Sequence, residues 1–180
     1  MSVEIDQIKL VELVFNSYLG QDGSINKTLD NKIAIYSIYN EEKKLQYIGY
    51  SRNLLLSLKQ HLVRQPQECY WYKYYEIQRP SRSILEDIKN QWLTENGDIP
   101  VGNGEKESQW NQPIDAKLTM TEEDKQIYQN SDELGKIKVL KKISRRVEEE
   151  IKQQLNQRQI NFEVRFNPKL KEQGLLDLKS

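Results

Sequence analysis

The chain contains one histidine, His61, and one cysteine, Cys69, so few of its side chains are soft metal ligands. A structural zinc site draws roughly four nitrogen or sulfur ligands from the protein. The sequence therefore predicts no zinc site, and a metal bound here would be a hard cation on oxygen ligands. A single cysteine also excludes an internal disulfide and is typical of a reducing compartment, so we expect a cytoplasmic protein.

Two stretches have the residue types that bind nucleic acids. The aromatic run Tyr70–Tyr75 could stack on bases, although pairing of aromatic residues across a sheet is the commoner use. A second group is basic and could contact phosphates; it comprises Lys136, Lys138, Lys141, Lys142, Arg145 and Arg146. Three glutamates follow it at 148–150, which favours a solvated helix face. The 27 basic and 27 acidic residues exclude a globally basic protein.

Length and composition favour one ordinary domain with appended helices. The chain has 180 residues, of which 37% are hydrophobic and 30% are charged. It lacks the run of about 20 apolar residues that crosses a bilayer. Its first ten residues lack the basic-then-apolar order of a secretory signal. We therefore expect no membrane insertion.

The central part of the chain shows alternating β and α patterns. Two β-like runs, Ile33–Tyr39 and Leu45–Tyr50, flank a charged turn and predict a hairpin. Because the first run is apolar on both faces, it is expected to be a central strand. A helix from Leu54 to Val63 follows, capped by Ser51 or Asn53. The run Tyr70–Ile77 predicts a third strand, and Pro80 and Ser81 begin a helix that continues to Leu93.

The flanking segments also have recognisable patterns. Ile5–Leu19 has apolar residues at three- and four-residue steps, which predicts an amphipathic helix. Thr121 is a helix-cap signal, Leu134–Leu155 predicts a long helix, and Asn161–Phe166 alternates like a short strand. We expect an α/β (α+β) protein with a small mixed sheet flanked by helices. Its predicted segments are residues 1–30, 31–113 and 114–180.

The central order of elements and residues resembles the GIY-YIG nuclease family. The first tripeptide of that family corresponds to Ala34-Ile35-Tyr36, and the second to Tyr47-Ile48-Gly49, with ten residues between the tyrosines. The other residues that match the family's pattern are Ser51, Leu54, His61, Glu86 and Asn103. The match covers about 70 residues and leaves the flanks unexplained.

Other residues resemble a subgroup, the nuclease-like N-terminal domain of plant plastid monothiol glutaredoxins. They are the segment Leu45–Asn53, the Pro66…Glu68-Cys69 pair, and Pro100-Val101-Gly102-Asn103 followed by Trp110. No Cys-Gly-Phe-Ser motif is present. The resemblance implies a stand-alone version of that domain from a photosynthetic lineage, such as a cyanobacterium.

The family resemblance implies roles for several residues. Tyr36 and Tyr47 would activate and position water, and Glu86 would hold one Mg²⁺ or Mn²⁺. His61 and Asn103 would be further catalytic residues. The family's arginine is expected at the position of Ser57, whose hydroxyl cannot replace a guanidinium. We therefore expect weak or absent nuclease activity.

Other cations and the cysteine are further candidates. Arg52, Lys59 and Arg64 could contact nucleic acid. Arg64 lies two turns beyond Ser57, and Arg52 lies at the start of the helix on a different side, so neither is a convincing substitute for the missing arginine. Cys69 is either a small buried residue or a redox switch.

The sequence leaves three functions open. One is a catalytically degraded nuclease scaffold that binds nucleic acid or a protein partner. A second is an active metal-dependent endonuclease, and a third is a redox-linked regulatory protein; the oligomeric state is not specified. All depend on the expectation that Tyr36, Tyr47 and Glu86 converge on one exposed groove. His61 is also expected as a packed histidine, and Asn103 as a turn former.

Overall fold

The computed structural model describes residues 8–179 of the chain. They form two compact units, of which the first ends at Asn111 and the second begins at Gln112. The strands are β1 (Asn16–Ser17), β2 (Ile33–Tyr39), β3 (Leu45–Ser51), β4 (Trp71–Ile77), β5 (Ile114–Asp115) and β6 (Leu175–Leu176). The helices are α1 (Leu54–Arg64), α2 (Arg82–Asn96), α3 (Glu107–Asn111), α4 (Glu122–Gln129), α5 (Glu133–Gln157) and α6 (Pro168–Lys171).

The first unit is built on a four-stranded sheet in the order β1-β4-β2-β3. The predicted hairpin is confirmed as β2 and β3, and β2 is central as expected. The α+β class is also confirmed. Every strand pairing in residues 8–179 is antiparallel, where a mixed sheet was expected.

Strand alternation gives the sheet two different faces. The first face carries Tyr36 on β2 and Tyr47 on β3, which are the register partners of Gly49 and Ile38. The second face carries Ile35. Helix α1 packs against the first face, and the Asn53 side chain caps it by accepting from the Leu56 amide.

Helix α2 covers the second face of the sheet. Its buried residues Leu85, Ile88 and Trp92 form one apolar cluster with Ile35 and Ile48. Ser81 caps the helix by accepting from the Ile84 amide, as the sequence predicts. The two helices therefore contact opposite faces of the sheet at β2 and β3.

The predicted helix over Ile5–Leu19 is wrong for the described part of that segment, and Ile5–Gln7 lie outside it. The chain instead makes a 3₁₀ turn at Leu10–Glu12 and the short strand β1. The backbone groups of Leu10 are used in long-range contacts: Lys73 Nζ donates to its carbonyl at 3.1 Å, and its amide donates to a Glu95 carboxylate oxygen at 2.9 Å. These tertiary hydrogen bonds replace those of a helix.

The second unit confirms two helix predictions and corrects one strand prediction. Thr121 and Asp124 form a reciprocal capping box at the start of α4, and the predicted long helix is α5. The predicted strand Asn161–Phe166 is wrong, because the segment finds no partner strand beyond a single bridge from Phe166 to Leu178. Within residues 8–179, none of the helices has the length and apolar character that spanning a bilayer requires.

The two-sided sheet makes a prediction about stability. Ile35 is fully buried in the cluster against α2. Ile35→Ala should lower the free energy of unfolding by about 2–5 kcal/mol, because it removes buried methyl groups and leaves a cavity. Urea unfolding measures this effect. Val14→Ala, at a position that is 74% exposed, is the matched control and should change stability by less than about 0.5 kcal/mol; equal effects would contradict this packing.

Candidate functional site

Four rings from four elements meet on the first face of the sheet, and we call them the aromatic cluster: Tyr36, Tyr47, His61 and Trp110. The His61 ring lies 4.6 Å from the Tyr47 ring and 5.6 Å from the Tyr36 ring, measured between centroids. Trp110 on α3 lies parallel to Tyr47, with 5.3 Å between centroids and 5° between planes. The exposed fraction of each residue is 2% for Tyr36, 7% for Tyr47, 3% for His61 and 1% for Trp110. Solvent therefore hardly reaches the cluster.

The two phenols of the cluster each make a hydrogen bond, one within the cluster and one to a neighbouring residue. The Tyr36 hydroxyl and His61 Nε2 share one at 2.7 Å. The Tyr47 hydroxyl donates to Asn111 Oδ1 at 2.6 Å. Each phenol therefore has a specific partner within the protein, which offsets the cost of burying a polar group.

Burial keeps these groups in their neutral forms. It raises the pKa of Tyr36 well above its ordinary value and raises the pKa of Tyr47 to about 12. It also lowers the pKa of His61 to about 3, and the nearby charge of Arg64 contributes to that shift. At neutral pH the site thus contains two phenols and a neutral imidazole, and a phenolate is disfavoured.

Gly49 leaves room for the Tyr47 ring. A Cβ atom at Gly49 would lie 2.6 Å from Tyr47 Cε1 and 2.8 Å from the Tyr47 hydroxyl oxygen. The ring therefore folds back over the glycine two residues later in the same strand. This contact gives a physical reason for the tyrosine-to-glycine spacing in the Tyr47-Ile48-Gly49 tripeptide.

Arg64 reaches the cluster, contrary to the sequence-based expectation. Its Nη1 donates to the Trp110 carbonyl at 2.9 Å, and its charge lowers the pKa values of Tyr36, Tyr47 and His61 relative to burial alone. Helical side chains lie over the turn that precedes their own Cα, so this arginine approaches the turn of His61. The sequence-based argument counted only the two helical turns between Ser57 and Arg64, and it did not include the direction in which the Arg64 side chain points.

Ser57 uses its hydroxyl locally. It donates to the Ser51 Oγ atom at 2.6 Å, which joins α1 to the end of β3. The serine thus supplies no positive charge, as the sequence predicts. The positive charge near the phenols comes from Arg64 instead.

Glu86 does not share the surroundings of the phenols. It is a partly exposed residue of α2, and the buried residues of that helix pack on the second face of the sheet. No hydrogen bond or ion pair among residues 8–179 joins it to Tyr36, Tyr47 or His61. The expected exposed groove containing both tyrosines and the glutamate is therefore not formed.

The residues at the phenols do not fit a divalent metal. Over the described range, no three His, Cys, Asp or Glu side chains are grouped closely enough to hold an ion. Mg²⁺ usually keeps several waters and needs oxygen ligands around it, whereas Tyr36 and Tyr47 are buried among rings. Glu86 is the one carboxylate predicted as a metal ligand, and it lies on α2, the helix that packs against the second face of the sheet.

Asn103 holds a loop against the edge of the sheet. Its Oδ1 accepts from the Ile48 amide at 2.8 Å, and its Nδ2 donates to the Ile48 carbonyl at 2.7 Å. A Cβ atom at the preceding Gly102 would lie 2.7 Å from the Gln46 carbonyl oxygen and 2.9 Å from the Trp110 ring. Asn103 and Gly102 therefore let this loop pair with β3 and place α3 over Tyr47.

The remaining predicted residues lie outside the cluster. Arg52 is exposed and lines a cavity of about 250 Å³ with Arg82 and Tyr50. Lys59 is half-buried on α1. Cys69 is completely buried just before β4, which limits access of oxidants to its thiol.

The two nucleic-acid candidates are used largely within the protein. In the aromatic run, Tyr72 packs against Tyr18 with 5.9 Å between ring centroids, and Lys73 lies 4.2 Å from the Phe15 ring centroid. In the basic cluster, Arg146 pairs with Asp124 at 2.9 Å, and Lys141 pairs with Glu172 at 3.5 Å. Lys138, Lys142 and Arg145 are exposed.

Sequence reasoning missed Trp110 and Asn111 as parts of the site. Trp110 was noted as a residue shared with a related domain, but nothing in its spacing relates it to Tyr47. The signal that could have found it is Gly102, the middle residue of a 3₁₀ turn at Val101–Asn103, because this glycine marks a close approach of two backbones.

Comparison with known proteins gives one partial relationship. The bifunctional monothiol glutaredoxin-S16 of Arabidopsis thaliana chloroplasts is 30% identical to this chain over 73 residues. The similarity covers 38% of this chain and 25% of that protein, so the chain spans about a quarter of the relative's length. No protein-family model matches the chain. The similarity supports the predicted likeness to a glutaredoxin-related protein and leaves the nuclease family a proposal.

The Asn103 contacts predict a loss of stability on substitution. Asn103→Ala leaves the Ile48 amide and carbonyl at a partly buried edge without partners. We expect a loss of roughly 2–4 kcal/mol in the free energy of unfolding, measured by urea titration. Asn96→Ala, which removes one exposed contact to the Asp98 carbonyl, is the control and should have a much smaller effect. A loss equal to that of the control would show that the amide pairing is not formed.

Burial of His61 predicts a pH dependence of stability. The pKa of about 3 in the folded state is below the ordinary value of about 6.5, so the unfolded chain binds the proton more readily. This contribution is fully present above pH 6.5 and is lost as the pH falls towards 3. Urea titrations at pH 7 and pH 5 should differ by about 2 kcal/mol. His61→Gln should remove most of this difference; an unchanged difference would contradict the assignment to His61.

Proposed function

We propose that residues 8–111 form a GIY-YIG-type nuclease scaffold whose endonuclease activity is weak or lost and which now acts as a binding module. The observation that carries this proposal is the convergence of Tyr36, Tyr47 and His61 in a cluster from which water is excluded. The order of the two tripeptides, Ala34-Ile35-Tyr36 before Tyr47-Ile48-Gly49, also supports it. So does the partial likeness to a plant glutaredoxin-related protein.

The geometry of the site supports weak activity for three reasons. Hydrolysis needs a water molecule at the phenol, but Tyr36 is buried. It needs a metal beside the phosphate, but Glu86 is on the helix that covers the second face. It also gains from a free cation, but the Arg64 Nη1 atom is bound to the Trp110 carbonyl.

A nucleic acid is the partner that the exposed residues of this unit favour. Arg52 and Arg82 line one cavity with Tyr50, so two guanidinium groups and a phenol are available to one anionic ligand. Protein binding is the other form of this proposal. An active endonuclease would require that α3 move, and a redox role would require access to the buried thiol of Cys69.

Plasmid nicking tests the loss of activity. Supercoiled DNA incubated with the full chain and Mg²⁺ or Mn²⁺ should be nicked no faster than with Glu86→Ala, because the metal ligand is not beside the phenols. Nicking by the wild-type chain that Glu86→Ala abolishes would overturn the proposal and establish the active-nuclease alternative.

A salt-dependent gel shift tests the binding role. Binding to DNA should weaken as salt rises, and Arg52→Ala should reduce the slope of log K against log salt by about 1, because one phosphate contact is lost. Lys125→Ala, in an exposed ion pair with Glu122 in the second unit, is the control. If neither the wild-type chain nor the control binds DNA, the nucleic-acid form of the proposal is overturned.

A further inference from the structure

Helix α3 ends in two residues whose groups lie where a nucleotide would contact the motif residues. The Trp110 indole stacks in parallel on Tyr47, which is how a base stacks on an aromatic side chain. The Trp110 carbonyl accepts from Arg64, as a phosphate oxygen would. Asn111 Oδ1 accepts from the Tyr47 hydroxyl and takes the place of a second ligand oxygen.

We infer that Trp110 and Asn111 act as a built-in plug, which occupies a nucleotide subsite formed by Tyr47, His61 and Arg64. This inference rests on the proposed function, because it concerns the same site. It specifies the ligand class as a nucleotide of a single strand, with one base on the Tyr47 ring and its phosphate at Arg64. It also specifies the regulation, since binding there requires that α3 leave.

The groups in the plug match the subsite in chemistry as well as in position. The indole is flat and apolar, and it covers Tyr47 and His61 together, with 5.5 Å between the Trp110 and His61 centroids. The two oxygen acceptors satisfy a cationic donor and a phenolic donor. A departing plug would remove the acceptor of the Tyr47 hydroxyl, uncover the Tyr47 ring and release the Arg64 Nη1 atom from the Trp110 carbonyl, so the open subsite would favour a ligand that supplies an aromatic ring and anionic oxygens.

The plug belongs to a short element between a loop and the end of the first unit. Helix α3 has five residues and follows a loop in which Gly102 allows close approach to Trp110. Asn111 is exposed apart from its bond to Tyr47, and it is the last residue of the first unit. In contrast, Trp92 lies within the fifteen-residue helix α2, a full turn before its end. The plug is therefore attached at one end to a loop and at the other to the junction between units.

Binding of a fluorescein-labelled single-stranded thymidine decamer, followed by anisotropy, tests the plug. Trp110→Ala should bind the decamer about tenfold more tightly than the wild-type chain, because loss of the indole uncovers the Tyr47 ring and removes the packing that holds the carbonyl of residue 110 against Arg64. Adding Arg64→Ala to Trp110→Ala should remove this gain. Asn111→Ala should give a smaller gain, about threefold, because it removes one hydrogen bond of the plug.

Trp92→Ala is the matched control, because it also removes a buried indole but from the second face of the sheet. It should leave decamer binding at the wild-type level. The plug is overturned if folded Trp110→Ala binds no more tightly than wild type, if Trp92→Ala shows the same gain, or if the gain persists without Arg64. Should Trp110→Ala fail to fold, as judged by circular dichroism, the absence of any gain in Asn111→Ala overturns the plug.

The same variants separate this inference from the proposed function. Nicking by wild type would overturn the loss of activity, whatever the decamer result. Tighter decamer binding by Trp110→Ala without nicking supports both the plug and the degraded nuclease. Tighter binding with new metal-dependent nicking supports the plug and shows that the catalytic groups are intact behind it, which overturns the proposed loss.

Discussion

The hydrogen bond between the Tyr36 hydroxyl and His61 Nε2, in a volume without solvent, is the interaction on which the site depends. This bond holds the His61 ring of α1 against the central strand β2, and the Tyr47 ring packs against the rings of Tyr36 and His61. The room for Tyr47 comes from Gly49, and the cover comes from Trp110. An arrangement that in an open groove could activate water is here a packed polar network within the core.

The sheet explains why some motif residues converge and others do not. Residues of β2 and β3 two positions apart share a face, and α1 adds His61 to that face. Helix α2 instead uses its apolar side to cover Ile35 and Ile48 on the second face. Glu86 on α2 could therefore reach the phenols only around the edge of the sheet. Arg64 approaches them directly, because its helix α1 lies on the same face as the phenols.

Local patterns were sufficient to predict the hairpin, α1, α2, α4 and α5, because strand alternation and caps such as Asn53 and Thr121 act within a few residues. They failed at the N-terminal segment, where Lys73 and Glu95 hold the Leu10 backbone from far along the chain. The motif predicted that Tyr36 and Tyr47 lie together with Glu86 in an exposed groove, whereas the two tyrosines lie together with His61 in a buried cluster. It could not show the direction of the Arg64 side chain or the return of Trp110, since both depend on packing between elements that are distant in sequence.

The central claim is that His61 is neutral and shielded because the phenols and Trp110 enclose it. As the chain has one histidine, its ring resonances in an NMR pH titration of the full chain are unambiguous. The account predicts chemical shifts that stay flat from about pH 8 to pH 5, because burial lowers the pKa of His61 to about 3. A sigmoidal change with a midpoint near the ordinary value of about 6.5 would contradict it, and would show a solvated histidine in an open groove.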